Sequence, residues 1–135
     1  RSIRVESIAC PLLVPLAEEG VSTGAIINGV LDLYLAGLKE NPPDALLLGC
    51  THYPLLREAI DNYFGGRVRI IDSASSCADF VADYLEKHDL CAAPGRLNPR
   101  HSFFVTDLPA AFHLHASRFL GRAPGQVEKV RLEGI

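Results

Sequence analysis

The sequence contains no methionine and no tryptophan, and only 7% of its 135 residues are aromatic. It has no basic run, and its formal net charge is -3, so the electrostatic footprint of a nucleic-acid binder is missing. No apolar stretch approaches the roughly 18 residues that would suggest a membrane span. The four cysteines, at 10, 50, 77 and 91, form no Cys-x-x-Cys pair. That excludes the common zinc patterns and argues against a disulfide-stapled secreted module. We expect four free thiols, a cytoplasmic setting and no metal: Cys50 and His52 together offer only two of the four ligands a structural zinc needs. The chain opens on Arg1 with no secretory leader pattern. With methionine absent throughout, that opening leads us to expect a piece of a longer protein.

What remains is 48% hydrophobic and 21% charged, the composition of an ordinary globular domain. Ile3–Ile8 alternates apolar and polar residues and predicts a half-buried strand. Pro11 suits the first turn of a short helix over 12–19, stopped by Gly20. Ser22 or Thr23 can cap a helix over 24–40, with Ile27, Val30, Leu31, Tyr34 and Leu38 on one face. Ala45–Gly49 is apolar without alternation, which predicts a strand covered on both faces. A helix over 54–64, a strand over 68–72, and a helix over 74–87 capped by Ser73 follow. Residues 88–99 suggest an exposed connection. The chain then reads as a strand over 102–106, a helix over 109–120 with Asp107 as cap, and a strand over 126–132. This order predicts an α/β fold: a parallel sheet flanked by helices.

Chemistry concentrates where the strand over 45–49 gives way to the next helix, in Gly49-Cys50-Thr51-His52-Tyr53-Pro54. If Pro54 opens a helix, the partial positive charge of its N-terminus favours a thiolate at Cys50. A buried structural cysteine is the competing reading. Thr51 offers a hydroxyl and an N–H that can hold a carboxylate or simply cap the helix. His52 can relay a proton or stand as a solvated loop residue. Cys10 has the same local form, strand end, cysteine, proline and helix, without the neighbouring histidine; we read it as buried. Glu18 and Glu19 close a helix against its dipole, which marks either a functional position or solvated surface. Asp72 ends a strand, a common site position in α/β folds and equally a helix cap.

The string Gly49-Cys50-Thr51-His52-Tyr53-Pro54-Leu-Leu resembles the second cysteine motif of the glutamate racemases, in the cofactor-independent aspartate/glutamate racemase superfamily. Ala9-Cys10-Pro11-Leu-Leu-Val-Pro15-Leu-Ala-Glu18-Glu-Gly20, Ile71-Asp72-Ser73-Ala74 and the closing stretch from Phe103 to Leu132 are similar to that family in the same order. The resemblance implies a two-lobed α/β enzyme that uses no cofactor. Two cysteines on opposite faces of the substrate Cα take and return its proton, interconverting L- and D-glutamate for peptidoglycan. It implies that Cys50 is one of these cysteines, that Thr51 and His52 contact substrate, that His52 assists Cys50, and that Glu18 supports His52. The first-lobe motif with the partner cysteine is absent, and Cys10, Cys77 and Cys91 do not match it. Residues 1–72 then correspond to most of the second lobe, and 73–135 to a tail expected to pack on the missing N-terminal lobe. Such a fragment is expected to be inactive alone and to expose apolar surface or pair as a homodimer. The competing classes are another racemase of the superfamily, acting on aspartate or hydantoins, and a non-catalytic binding module on the same fold.

Overall fold

In a computed structural model, residues 2–92, 101–107 and 109–132 are described. They form five α-helices: α1 (Leu13–Glu19), α2 (Ala25–Leu35), α3 (Arg57–Tyr63), α4 (Ser73–Lys87) and α5 (Pro109–Leu120). Four short strands alternate with them: β1 (Ala45–Leu48), β2 (Arg69–Asp72), β3 (Phe103–Val105) and β4 (Val127–Lys129). The chain divides into two compact units, Arg1–Tyr84 and Leu85–Ile135. Each holds one parallel pair joined through a helix, β1 with β2 across α3 and β3 with β4 across α5. The α/β class and the parallel pairing are therefore as the sequence order predicts.

The first unit carries the core. Ile27, Leu31 and Leu35 of α2 pack with Leu56, Ala59, Ile60 and Phe64 around α3, with Leu13 and Ala17 of α1, and with Leu48 and Ile70 of the sheet. The predicted apolar faces of α2 and α3 are the buried ones, because side chains three and four residues apart share a face. Gly20 ends α1 in the left-handed conformation (φ 76°), which lets its N–H reach Ala17 O (3.1 Å) and the Val21 N–H reach Leu16 O (2.8 Å).

Several expectations fail locally. Ile3–Ile8 forms no strand, and Ile3 and Val5 are 88% and 82% exposed. An alternating pattern makes a strand only when a neighbour accepts its ladder, and none does among the described residues. β1 is covered on one face only: Leu48 is buried, but Leu47 is 69% exposed. Neither Ser22 nor Thr23 caps α2, whose N-cap is Gly24. The helix predicted over 24–40 ends at Leu35 and tightens into a 3-10 turn, Ala36–Leu38. Ser73 is the first residue of α4 rather than its cap. The cap is Asp72, whose Oδ1 accepts the Ser75 N–H at 2.7 Å. The strand predicted over 126–132 is only β4, closed by Val130 N–H donating to Val105 O (2.8 Å). Asp107 pairs with Lys129 at 3.1 Å. Of the expected connection over 88–99, residues 93–99 lie outside the described ones.

α4 has no buried residue, and Phe80, Val81 and Tyr84, spaced along one face, are 67%, 45% and 48% exposed. In the second unit Phe103 and Phe112 rings meet at 6.1 Å, and Pro124 is its one buried residue among those described; the buried core cluster lies between Cys10 and Ile70.

Candidate active site

β1 ends at Leu48, and the chain turns through Gly49, Cys50, Thr51 and His52 into a 3-10 turn, Tyr53–Leu56, before α3 begins at Arg57. The helix expected to open at Pro54 is therefore split. Pro54 lacks an N–H to donate, and the turn is closed by Tyr53 N–H to Cys50 O (3.2 Å) and Leu55 N–H to His52 O (3.1 Å). Cys50 thus projects from a tight turn and not from the mouth of an α-helix.

The turn brings three groups together. Cys50 Sγ lies 3.9 Å from His52 Nδ1, and Thr51 Oγ1 lies 3.4 Å from the same nitrogen. His52 Nε2 lies 3.2 Å from Glu18 Oε1, on the last turn of α1. A carboxylate can only accept, so it holds the proton on Nε2 and leaves Nδ1 facing the thiol. In the neutral ring Nδ1 is then an acceptor for the Cys50 or Thr51 proton. In the imidazolium it is a donor to a thiolate. Leu47, Leu48, Gly49, Cys50, Thr51 and Ser73 line a cleft of about 250 Å³ beside this turn.

Two tyrosines hold α1 where Glu18 can meet His52. Tyr53 Oη donates to Cys10 O at 3.0 Å, and Leu12 N–H donates to Tyr34 Oη at 3.3 Å. Burial, and then the nearby Cys10 and Cys50 thiols, push the Tyr53 hydroxyl up, so it remains a donor at neutral pH. Cys10 itself is buried (8% exposed), as the sequence suggests, and burial pushes its thiol up, away from the reactive thiolate. Cys77 and Cys91 are exposed free thiols.

Asp72, 4% exposed, does not face the thiol. Its Oδ2 takes Arg57 Nη1 at 2.9 Å and the Ser75 hydroxyl at 3.1 Å. The Ser75 N–H, offset in part by burial, and then the Ser75 hydroxyl and the Arg57 charge hold the carboxyl below its usual range. Neither Arg57 nor the tyrosines carry a sequence signal for these roles, because their partners lie in other elements. A larger polar groove of about 520 Å³ is lined by Asn28, Gly29, Asp32, Lys39, Asn62 and Tyr63, and shares no residue with the Cys50 cleft. There the Lys39–Asp32 pair (2.8 Å) and Tyr63 Oη to Asp32 (2.9 Å) hold the aspartate's carboxyl low. Among the described residues no cluster of three metal-ligating side chains occurs, and no helix is long and apolar enough to cross a membrane.

No family model matches the chain. Individual proteins do. The chain is 43% identical over 131 residues to glutamate racemase of Geobacter metallireducens, covering 97% of this chain and 48% of that protein. The solved glutamate racemase of Francisella tularensis, in complex with D-glutamate, superposes with a TM-score of 0.81 at 33% identity, over 97% of this chain and 48% of that one. The Bacillus anthracis enzyme does so at 0.80 and 35%, over 96% and 48%. The chain thus spans about half the length of the curated relatives it matches.

Proposed function

We propose that this chain, homologous along nearly its whole length to one half of the glutamate racemases, is the part of such an enzyme that carries one of its two proton-transferring thiols. The observation that carries this reading is the line Glu18–His52–Cys50, with contacts of 3.2 and 3.9 Å, beside a cleft lined by Cys50 and Thr51. Cys50 acts on one face of the glutamate Cα. As a thiolate it takes the Cα proton; as a thiol it gives one back. The opposite face is served by a second thiol, in the half of the enzyme for which this chain has no counterpart. Glu18 keeps the His52 proton on Nε2, so Nδ1 can receive the Cys50 proton or return it. Thr51 supplies a hydroxyl and a main-chain N–H to the substrate.

Residues 73–135 are the segment that runs back to that other lobe. The exposed apolar face of α4 and the uncovered face of β1 support this. The whole protein would work in the cytoplasm, supply D-glutamate for peptidoglycan and need no cofactor. The test is circular dichroism of L-glutamate incubated with the complete protein and with residues 1–135 alone. We expect the signal to decay with the first and persist with the second. No decay with the complete protein, or decay with aspartate in place of glutamate, would overturn the reading.

A further inference from the structure

Asp72 is the one buried charged side chain among the described residues, and the chemistry above leaves it unused. It pairs in register with Leu48, the last residue of β1 before the Cys50 turn. Arg57, the first residue of α3 after that turn, spans two acceptors on β2: Nη1 to Asp72 Oδ2 (2.9 Å) and Nη2 to Ile70 O (3.1 Å). Residues 49–56 are thus a loop whose two ends are both fastened to the end of β2, one by the strand ladder and one by the guanidinium.

We propose that Arg57 and Asp72 form a latch closing the base of the Cys50 loop, and that Arg57 is a positioning residue for the thiol; this rests on the racemase reading. The same carboxylate caps α4 through the Ser75 N–H and hydroxyl, and the Asp72 carbonyl accepts the Ser76 hydroxyl at 2.9 Å. Loop base and α4 start therefore share one anchor. A planar guanidinium serves both acceptors at once, whereas a lysine ammonium would serve one well. Arg57 is half-exposed (side chain 49%), so its replacement opens no core cavity, and Asp72 keeps the Ser75 N–H and hydroxyl as partners.

The test uses the complete enzyme with Arg57→Met and Arg57→Lys. Displacing a reacting group by a fraction of an ångström already costs rate, so kcat should fall about 10-fold in the first and about 3-fold in the second. The rate of Cys50 alkylation by iodoacetamide, read by peptide mass spectrometry, should change in the same order, with both proteins folded at the assay temperature. Wild-type kcat and alkylation rates in Arg57→Met, with only a lower unfolding midpoint, would show a merely structural ion pair and overturn the latch. If the wild-type enzyme does not racemise glutamate, the racemase reading fails instead, and the alkylation rates still decide the latch.

Discussion

Cys10 and Cys50 come from stretches that look alike: a short apolar segment, a cysteine, a proline and a helix. The fold treats them in opposite ways. Cys10 packs into the core beneath α1, with its sulfur 3.6 Å from Ile8 O and its carbonyl taken by Tyr53. Cys50 sits half-buried on a turn at a cleft, beside an imidazole that a carboxylate orients. A thiol's use therefore depends less on the local sequence than on what stands opposite it. Burial, with a main-chain carbonyl that accepts from the thiol and no base beside it, quiets Cys10, and an oriented imidazole equips Cys50.

The sharpest way to break this contrast is substitution in the complete enzyme. Removing an acid–base group costs roughly 10²–10⁴-fold, so Cys50→Ser should lower kcat by about 10³-fold or more. Cys10→Ala should leave kcat within a few-fold and cost about 1 kcal/mol of stability, measured by urea unfolding. Equal losses would erase the distinction. His52→Asn should follow with about a 100-fold loss of kcat. Glu18→Gln, which keeps the shape but can donate as well as accept and so no longer fixes the imidazole tautomer, should cost about 10-fold, mostly in kcat rather than KM.

On residues 1–135 alone, iodoacetamide should modify Cys50 about 10-fold faster than Cys10, seen by peptide mass spectrometry. A faster Cys10 would contradict its burial.

The smallest effect concerns acid. Asp72 fastens the Cys50 loop, whereas the Cys10 segment is held by the uncharged Tyr34 and Tyr53. The carboxyl of Asp72 is lowered by folding. Its stabilising contribution is therefore complete above the unfolded value, about pH 4, and is lost as pH falls through the lowered folded value. Amide exchange at Ser75 and Ser76, taken relative to the free-peptide rate at the same pH, should accelerate below about pH 4, ahead of exchange at Leu13, and Asp72→Asn should remove that difference. Simultaneous acceleration at both places would sink the assignment.

The faces of α2 and α3 were legible because a 3.6-residue period leaves its mark in a single stretch of chain. Cys50, Thr51 and His52 were legible for a similar reason: they are contiguous. Glu18 was not readable from spacing. The dipole conflict marked it only together with Glu19, the family resemblance chose between the two, and the fold places its carboxylate against His52. The strand expected at Ile3–Ile8 failed because a pattern cannot supply its own neighbour. The helix expected at Pro54 split because the chain must first turn away from β1. Nothing in the sequence pointed to Arg57, whose two acceptors sit on β2.

By itself, then, the order of residues determined where most of the helices lie, that the strands pair in parallel, and the stretch Gly49–Pro54 that holds three of the four candidate groups. Those outcomes depend on local sterics, periodicity and near neighbours. Tertiary structure decided which of two similar cysteines is equipped, which glutamate orients the histidine, and what closes the loop beneath the thiol. The reason is that burial and hydrogen-bond partnership arise between distant segments and are absent until the chain has brought them together.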